Sequence, residues 1–139
     1  MRGATGQVYL AVALGSALGA VTRHLVSVAA LLALGPAFAW GTLIANVFGS
    51  WLIGLYAALT DTNGRLMVRP ATRPFVLGGF CGGFTTFSVF SLETLLFLGE
   101  GRMGIAALYV GVSLAAWLAA VWAGYAAGMR MNRDRRSDP

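Results

Sequence analysis

The chain has 139 residues, 58% of them hydrophobic and only 11% charged, too few charges to clothe a soluble domain of this size. Its formal charge of +5 comes from ten arginines and no lysine, with no basic face interleaved with base-stacking aromatics, which argues against nucleic acid as a partner. The single cysteine, Cys81, excludes an intrachain disulfide and leaves the redox compartment open.

Four apolar stretches, Val8–Leu34, Phe38–Thr60, Pro74–Leu98 and Met103–Met129, each exceed the ~20 residues a helix needs to cross the hydrocarbon core. They predict an all-α membrane protein: one domain of four transmembrane helices over residues 1–129, then a short basic tail, 130–139. In the first stretch, Gly15 and Gly19 stand at GxxxG spacing, which suits close helix contact. Arg23 and His24 lie well inside it. A charge there faces a cavity or a partner, so Arg23 either draws anions into a vestibule, snorkels, or pairs with Glu93. His24 has no second ligand-type residue at useful spacing, which argues against a metal. Arg2, the apolar run and Ala37-Phe38-Ala39 mimic a cleavable signal. The run is too long for one and is interrupted at Arg23, so the first helix is expected to be retained. Gly35-Pro36 ends it.

In the second stretch Thr42, Asn46 and Ser50 recur every four residues along one face. An asparagine amide in lipid must find partners or water, either as glue between helices or along a wet path. The loop Asp61-Thr62-Asn63-Gly64 follows, with Arg65, Arg69 and Arg73 behind it.

The third stretch contains GGFCGGFTTFSVF, Gly78–Phe90, with glycines and hydroxyls where a plain spacer would use leucine. Gly78, Gly79, Gly82 and Gly83 each lower helix propensity by roughly 1 kcal/mol relative to alanine. The cluster predicts a helix broken near the bilayer midplane. Its freed backbone groups must line a cavity or bind something: carbonyls suit a hard cation, amides at a new helix start an anion. Phe87 and Phe90 follow on one face. They either pack or face lipid, or they present their positive ring edges to a small anion. Glu93 is the acid of this span.

Gly99-Glu100-Gly101-Arg102 separates the last two stretches, and the fourth carries Tyr109 and Ser113 four apart, then a second GxxxG at Gly124 and Gly128. With four crossings, the termini and the second loop share a side. That side holds eight arginines (Arg2, Arg65, Arg69, Arg73, Arg130, Arg133, Arg135 and Arg136), against Arg102 alone on the other. The bias predicts cytoplasmic termini in the membrane of a bacterial cell, and the basic tail serves as a cytoplasmic stop or touches anionic lipid. There is no GxxxxGKS/T phosphate loop and no catalytic constellation, so the chain does not read as an enzyme.

GGFCGGFTTFSVF, GTLIANVFGSWLIG (Gly41–Gly54) and GSALGAVTRH (Gly15–His24) together resemble the Fluc (CrcB) fluoride channels, in order across all four spans. The resemblance implies an antiparallel dimer with two fluoride pores, its broken third helices meeting at the twofold axis. It implies a structural sodium ion there, not transported, held by the backbone carbonyls of Gly82 and Thr85. It further implies that Asn46, Phe87 and Phe90 line the pore with Thr42, Thr86, Ser88, Tyr109 and Ser113. Arg23 then serves the vestibule and Glu93 is a structural acid. Passive export of cytoplasmic fluoride, relieving its toxicity, is the function implied.

The chain departs from the family pattern at Val89 and Trp117, each standing where a hydroxyl is usual. The arginine bias departs too, because two-way insertion needs balanced loops. The expected antiparallel partner is therefore a second copy or, as the bias favours, an oppositely oriented paralogue. A rival reading is a small proton-coupled multidrug exporter, for which Glu93 would be the proton carrier.

Overall fold

A computed structural model describes residues 2–61, 64 and 66–134, and among these it contains helices and no strand. The order is α1 (Arg2–Leu34), α2 (Trp40–Leu59), α3 (Thr72–Pro74), a π-helical stretch (Phe75–Cys81), α4 (Gly82–Phe84), α5 (Ser88–Gly99) and α6 (Met103–Asp134). The segments long and apolar enough to cross a membrane are Thr5–Leu34, Trp40–Leu59, Thr72–Gly99 and Met103–Arg133. Their outer faces remain leucine-rich and exposed, as in Leu10, Leu14, Leu18 and Leu25 of α1, which suits hydrocarbon as solvent.

Two seams of backbone-to-backbone contact hold the bundle. Along α2 and α6, a Cβ on Gly54 would overlap the Val121 carbonyl, and one on Gly124 the Trp51 carbonyl. Along α1 and the third crossing, Gly19 lies against the Phe80 carbonyl and Gly83 against that of Ser16. Both GxxxG pairs therefore sit at close contacts. Gly78, Gly79, Gly82 and Gly83 all lie within helical backbone. Gly79 and Gly83 serve approach to α1 rather than unwinding.

At one end of the bundle, α5 closes with a Schellman motif: the Arg102 amide donates to the Phe97 carbonyl at 2.8 Å and the Gly101 amide to Leu98 at 3.0 Å. Gly101 has φ 73°, the left-handed conformation that glycine adopts without a steric penalty. Arg102 then ties the two loops at this end. It donates to the Ala37 carbonyl at 2.6 Å, pairs with Glu100 at 3.1 Å and lies 4.8 Å over the Phe97 ring. At the other end Arg73 donates to the Thr60 hydroxyl, and Asn132 to the Ala58 carbonyl. The helix continues through Arg130 to Asp134, so the first half of the expected tail belongs to α6. The Arg2 side chain, Thr62, Asn63, Arg65, Arg135 and Arg136 lie outside the described residues, and with them part of the arginine count.

Replacing Gly124 with valine should cost about 3 kcal/mol, the upper end of overpacking, because the obstacle is a carbonyl rather than a movable side chain. A marked drop in the thermal midpoint of the detergent-solubilised protein is the expected result. Gly104, with open space around its Cβ position, is the control that should tolerate the same change.

Candidate functional site

The third crossing changes course after Phe84. The Cys81 carbonyl accepts from both the Thr85 amide, at 2.9 Å, and the Thr85 hydroxyl, at 2.8 Å. Thr85 is then extended, with φ −83° and ψ 156°, and α5 begins at Ser88. In an uninterrupted helix the Thr86 amide would reach back to Gly82. It donates instead to Asn46 Oδ1 at 2.7 Å, while Asn46 Nδ2 donates to the Thr86 carbonyl at 2.8 Å. One buried side chain on α2 thus satisfies both polar groups of one residue outside a helix. Arg23 Nε donates to the Gly83 carbonyl at 3.3 Å. The Thr86 hydroxyl accepts from the Val89 amide at 3.2 Å, capping the start of α5, and lies 3.2 Å from the exposed Ser88 hydroxyl.

Glu93 is held separately. Its Oε1 accepts from the Thr42 hydroxyl at 2.8 Å and its Oε2 from the Tyr109 hydroxyl at 2.6 Å. Both carboxylate oxygens are engaged by donors from two other helices. Arg23 and Glu93 each have their own partners, so of the readings open for Arg23 the contact observed is with the third crossing's backbone. His24 is exposed on α1.

The two phenylalanines differ in setting. Phe87 is 68% exposed, whereas Phe90 is 5% exposed and belongs to a buried cluster with Phe97, Ala106 and Tyr109. Their ring centroids are 5.6 Å apart. Phe90 also meets Tyr109 at 5.1 Å and Trp117 edge-on at 4.8 Å. Ser113 is completely buried, and neither its hydroxyl nor the buried Trp117 Nε1 has a hydrogen-bond partner among the described residues.

The face Thr42, Asn46, Ser50 serves two hollows. Asn46 and Ser50 line a cavity of about 370 Å³ with Ile53, Gly82, Thr85, Thr86, Phe87 and Trp117, and no charged residue among those described lines it. Thr42 lines another of about 370 Å³ with Glu93 and, towards the loops, Glu100 and Arg102. Ser50 was legible only as part of the helical stripe. The sequence pointed to an inward, partnered Asn46, but nothing in it named a backbone forty residues on as the partner.

The architecture is that of a multi-pass helical membrane protein whose polar centre is built at an interruption in the third crossing. Residues 10–125 match the model of the CrcB-like, camphor resistance (CrcB) family, and the chain belongs to that family. It is 47% identical over 96% of its length to the fluoride-specific ion channel FluC 1 of Bradyrhizobium diazoefficiens, covering 92% of that protein. The protein of that name from Rhodopseudomonas palustris is 48% identical, with 90% of this chain and 89% of that one covered. The fluoride-specific ion channel FluC of Opitutus terrae is also 48% identical, with 89% and 94% covered.

Asn46→Ala leaves the Thr86 amide and carbonyl without their partner, at about 1–3 kcal/mol each. Amide exchange at Thr86 should quicken by tenfold or more, since each 1.4 kcal/mol of protection is worth about that factor. Asn46→Asp keeps the acceptor and loses the donor, so its exchange should fall between the two.

Proposed function

We propose that this chain is a fluoride-specific channel that lets cytoplasmic fluoride leave passively, and so limits its toxicity. The observation that carries the proposal is the cavity at the interruption, lined by the Asn46 amide, the hydroxyl residues Ser50, Thr85 and Thr86 and the aromatic residues Phe87 and Trp117, with no charged group among the described residues. A strongly hydrated small anion needs many weak donors in place of water, and it leaves only if no single site is tight. The names of the relatives supply the ion. Asn46, Thr42, Thr86, Ser88, Tyr109, Ser113, Phe87 and Phe90 are the residues proposed to serve the path, with Arg23 at its entrance and Glu93 as a fixed structural acid. The exporter reading has no support from the relatives' names, and the Glu93 carboxylate is already engaged by two hydroxyls.

The interruption is proposed to lie at the bilayer midplane and to meet its counterpart in an antiparallel dimer. The exposed Gly82, around whose Cβ position there is open space, and the exposed Phe87 support a partner on this face. Sodium fits the donors present. Asn46 has taken the amide that would have paired with the Gly82 carbonyl, leaving that oxygen available to a hard cation. Two carbonyls, Gly82 and Thr85, are few for a hard cation, and a second subunit would bring the set to four. The ion's part would be to hold the two interruptions together. The arginine bias supports cytoplasmic termini and an oppositely inserted paralogue as partner.

This chain purified together with its paralogue, in vesicles loaded with fluoride, should release it without a proton gradient, as read by an ion-selective electrode, and should retain chloride. Phe87→Ile or Phe90→Ile should cut the release by about tenfold, the scale of one lost interaction of 1.4 kcal/mol. Fluoride retained by vesicles that hold this chain together with its paralogue would overturn the proposal. Robust release by this chain alone would remove the need for the paralogue.

A further inference from the structure

We infer that the indole N–H of Trp117 is an anion donor of the path, acting with the Ser113 hydroxyl one helical turn earlier beside the Phe90 ring. The inference rests on the fluoride reading above and adds to it a residue and a reason for selectivity.

Both donor atoms are sealed from solvent and neither has a hydrogen-bond partner among the described residues. A buried donor without a partner is costly and uncommon, and here two occur four residues apart on one face of α6. Each belongs to a side chain pinned by its surroundings. Ser113 is fully buried, and the Trp117 ring stands edge-on to Phe90 with an interplanar angle of 72°. Tyr109, one turn before Ser113, has already committed its hydroxyl to Glu93. The face therefore runs from a satisfied donor to two unsatisfied ones. Trp117 also lines the uncharged cavity, where Asn46, Thr86 and Phe87 converge.

The chemistry of the indole sets what it can take. Its nitrogen donates and has no lone pair to offer, so it recognises an acceptor and gives nothing to a cation or to a water seeking to donate. The serine hydroxyl can turn its proton to the same acceptor. With no arginine or histidine among the described residues of the cavity lining, the anion is held by hydrogen bonds, weak enough for release. An ion that forms strong hydrogen bonds from a small radius gains most from two fixed donors and an aromatic rim. A larger, softer halide gains least.

The test reads the indole directly. Tryptophans 40, 51, 117 and 122 of the full chain are labelled with nitrogen-15 at the indole, and the protein is held in lipid nanodiscs with its paralogue if vesicle release requires one. Trp117→Phe, which keeps a ring and lacks the N–H, identifies the resonance; a variant with the other three changed to phenylalanine identifies it independently should Trp117→Phe fail to fold. Sodium fluoride should move the Trp117 resonance downfield and sodium chloride should not, and Ser113→Ala should raise the fluoride concentration needed. Trp117→Phe should also slow vesicle release by about tenfold, the loss expected from one hydrogen bond to an ion. A resonance indifferent to fluoride in protein whose vesicles release fluoride overturns the indole's role and leaves the channel standing. A resonance that shifts in protein whose vesicles retain fluoride upholds the indole site and overturns the channel.

Discussion

The two-way bond between Asn46 and Thr86 is the constraint on which the polar centre depends. Lipid offers no partner to a main-chain amide or carbonyl, so backbone that leaves a helix there must be satisfied by protein. Asparagine is suited to the task because its amide carries a donor and an acceptor on one plane, matching the two groups of a single peptide residue. Arg23 and Thr86 add two further bonds, one to the Gly83 carbonyl and the other to the Val89 amide. Three helices thus contribute to one short irregular segment. The same segment brings hydroxyls and a phenyl ring to a cavity that would otherwise be lined by helix sides.

Glu93, half-buried, is engaged on both oxygens from two other helices. A carboxylate with hydroxyl donors on both oxygens is held in place by its neighbours, and it in turn fixes Thr42 and Tyr109. The fixed Tyr109 ring then supports Phe90, which meets Trp117 on its other contact. Acid, phenol and aromatic rings form one continuous scaffold beside the cavity.

Much of the fold was legible, because apolar run length is a strong signal: the first crossing ends at Leu34 and the last begins at Met103 where hydropathy places them. The glycines were legible as unusual but their purpose was not. Helix propensity assigns glycine a cost, and only the neighbouring chain reveals that Gly79 and Gly83 give α1 room. Asn46 was readable as inward-facing from its four-residue stripe. Its partner was not, since backbone atoms have no signature in sequence. Trp117 was visible only as a departure from a pattern of hydroxyls; that its ring nitrogen would be both buried and unpaired follows from packing against Phe90, which no periodicity encodes. The tail was read as separate because its composition changes at Arg130, yet helix hydrogen bonding carries across that change to Asp134.

The seam between α2 and α6 has a mechanical corollary. Main chain meets main chain at Gly54 and Gly124, with no side-chain cushion to rearrange, so these helices cannot rotate or slip without colliding. One wall of the cavity, carrying Asn46 and Ser50, is therefore bolted to the wall carrying Trp117.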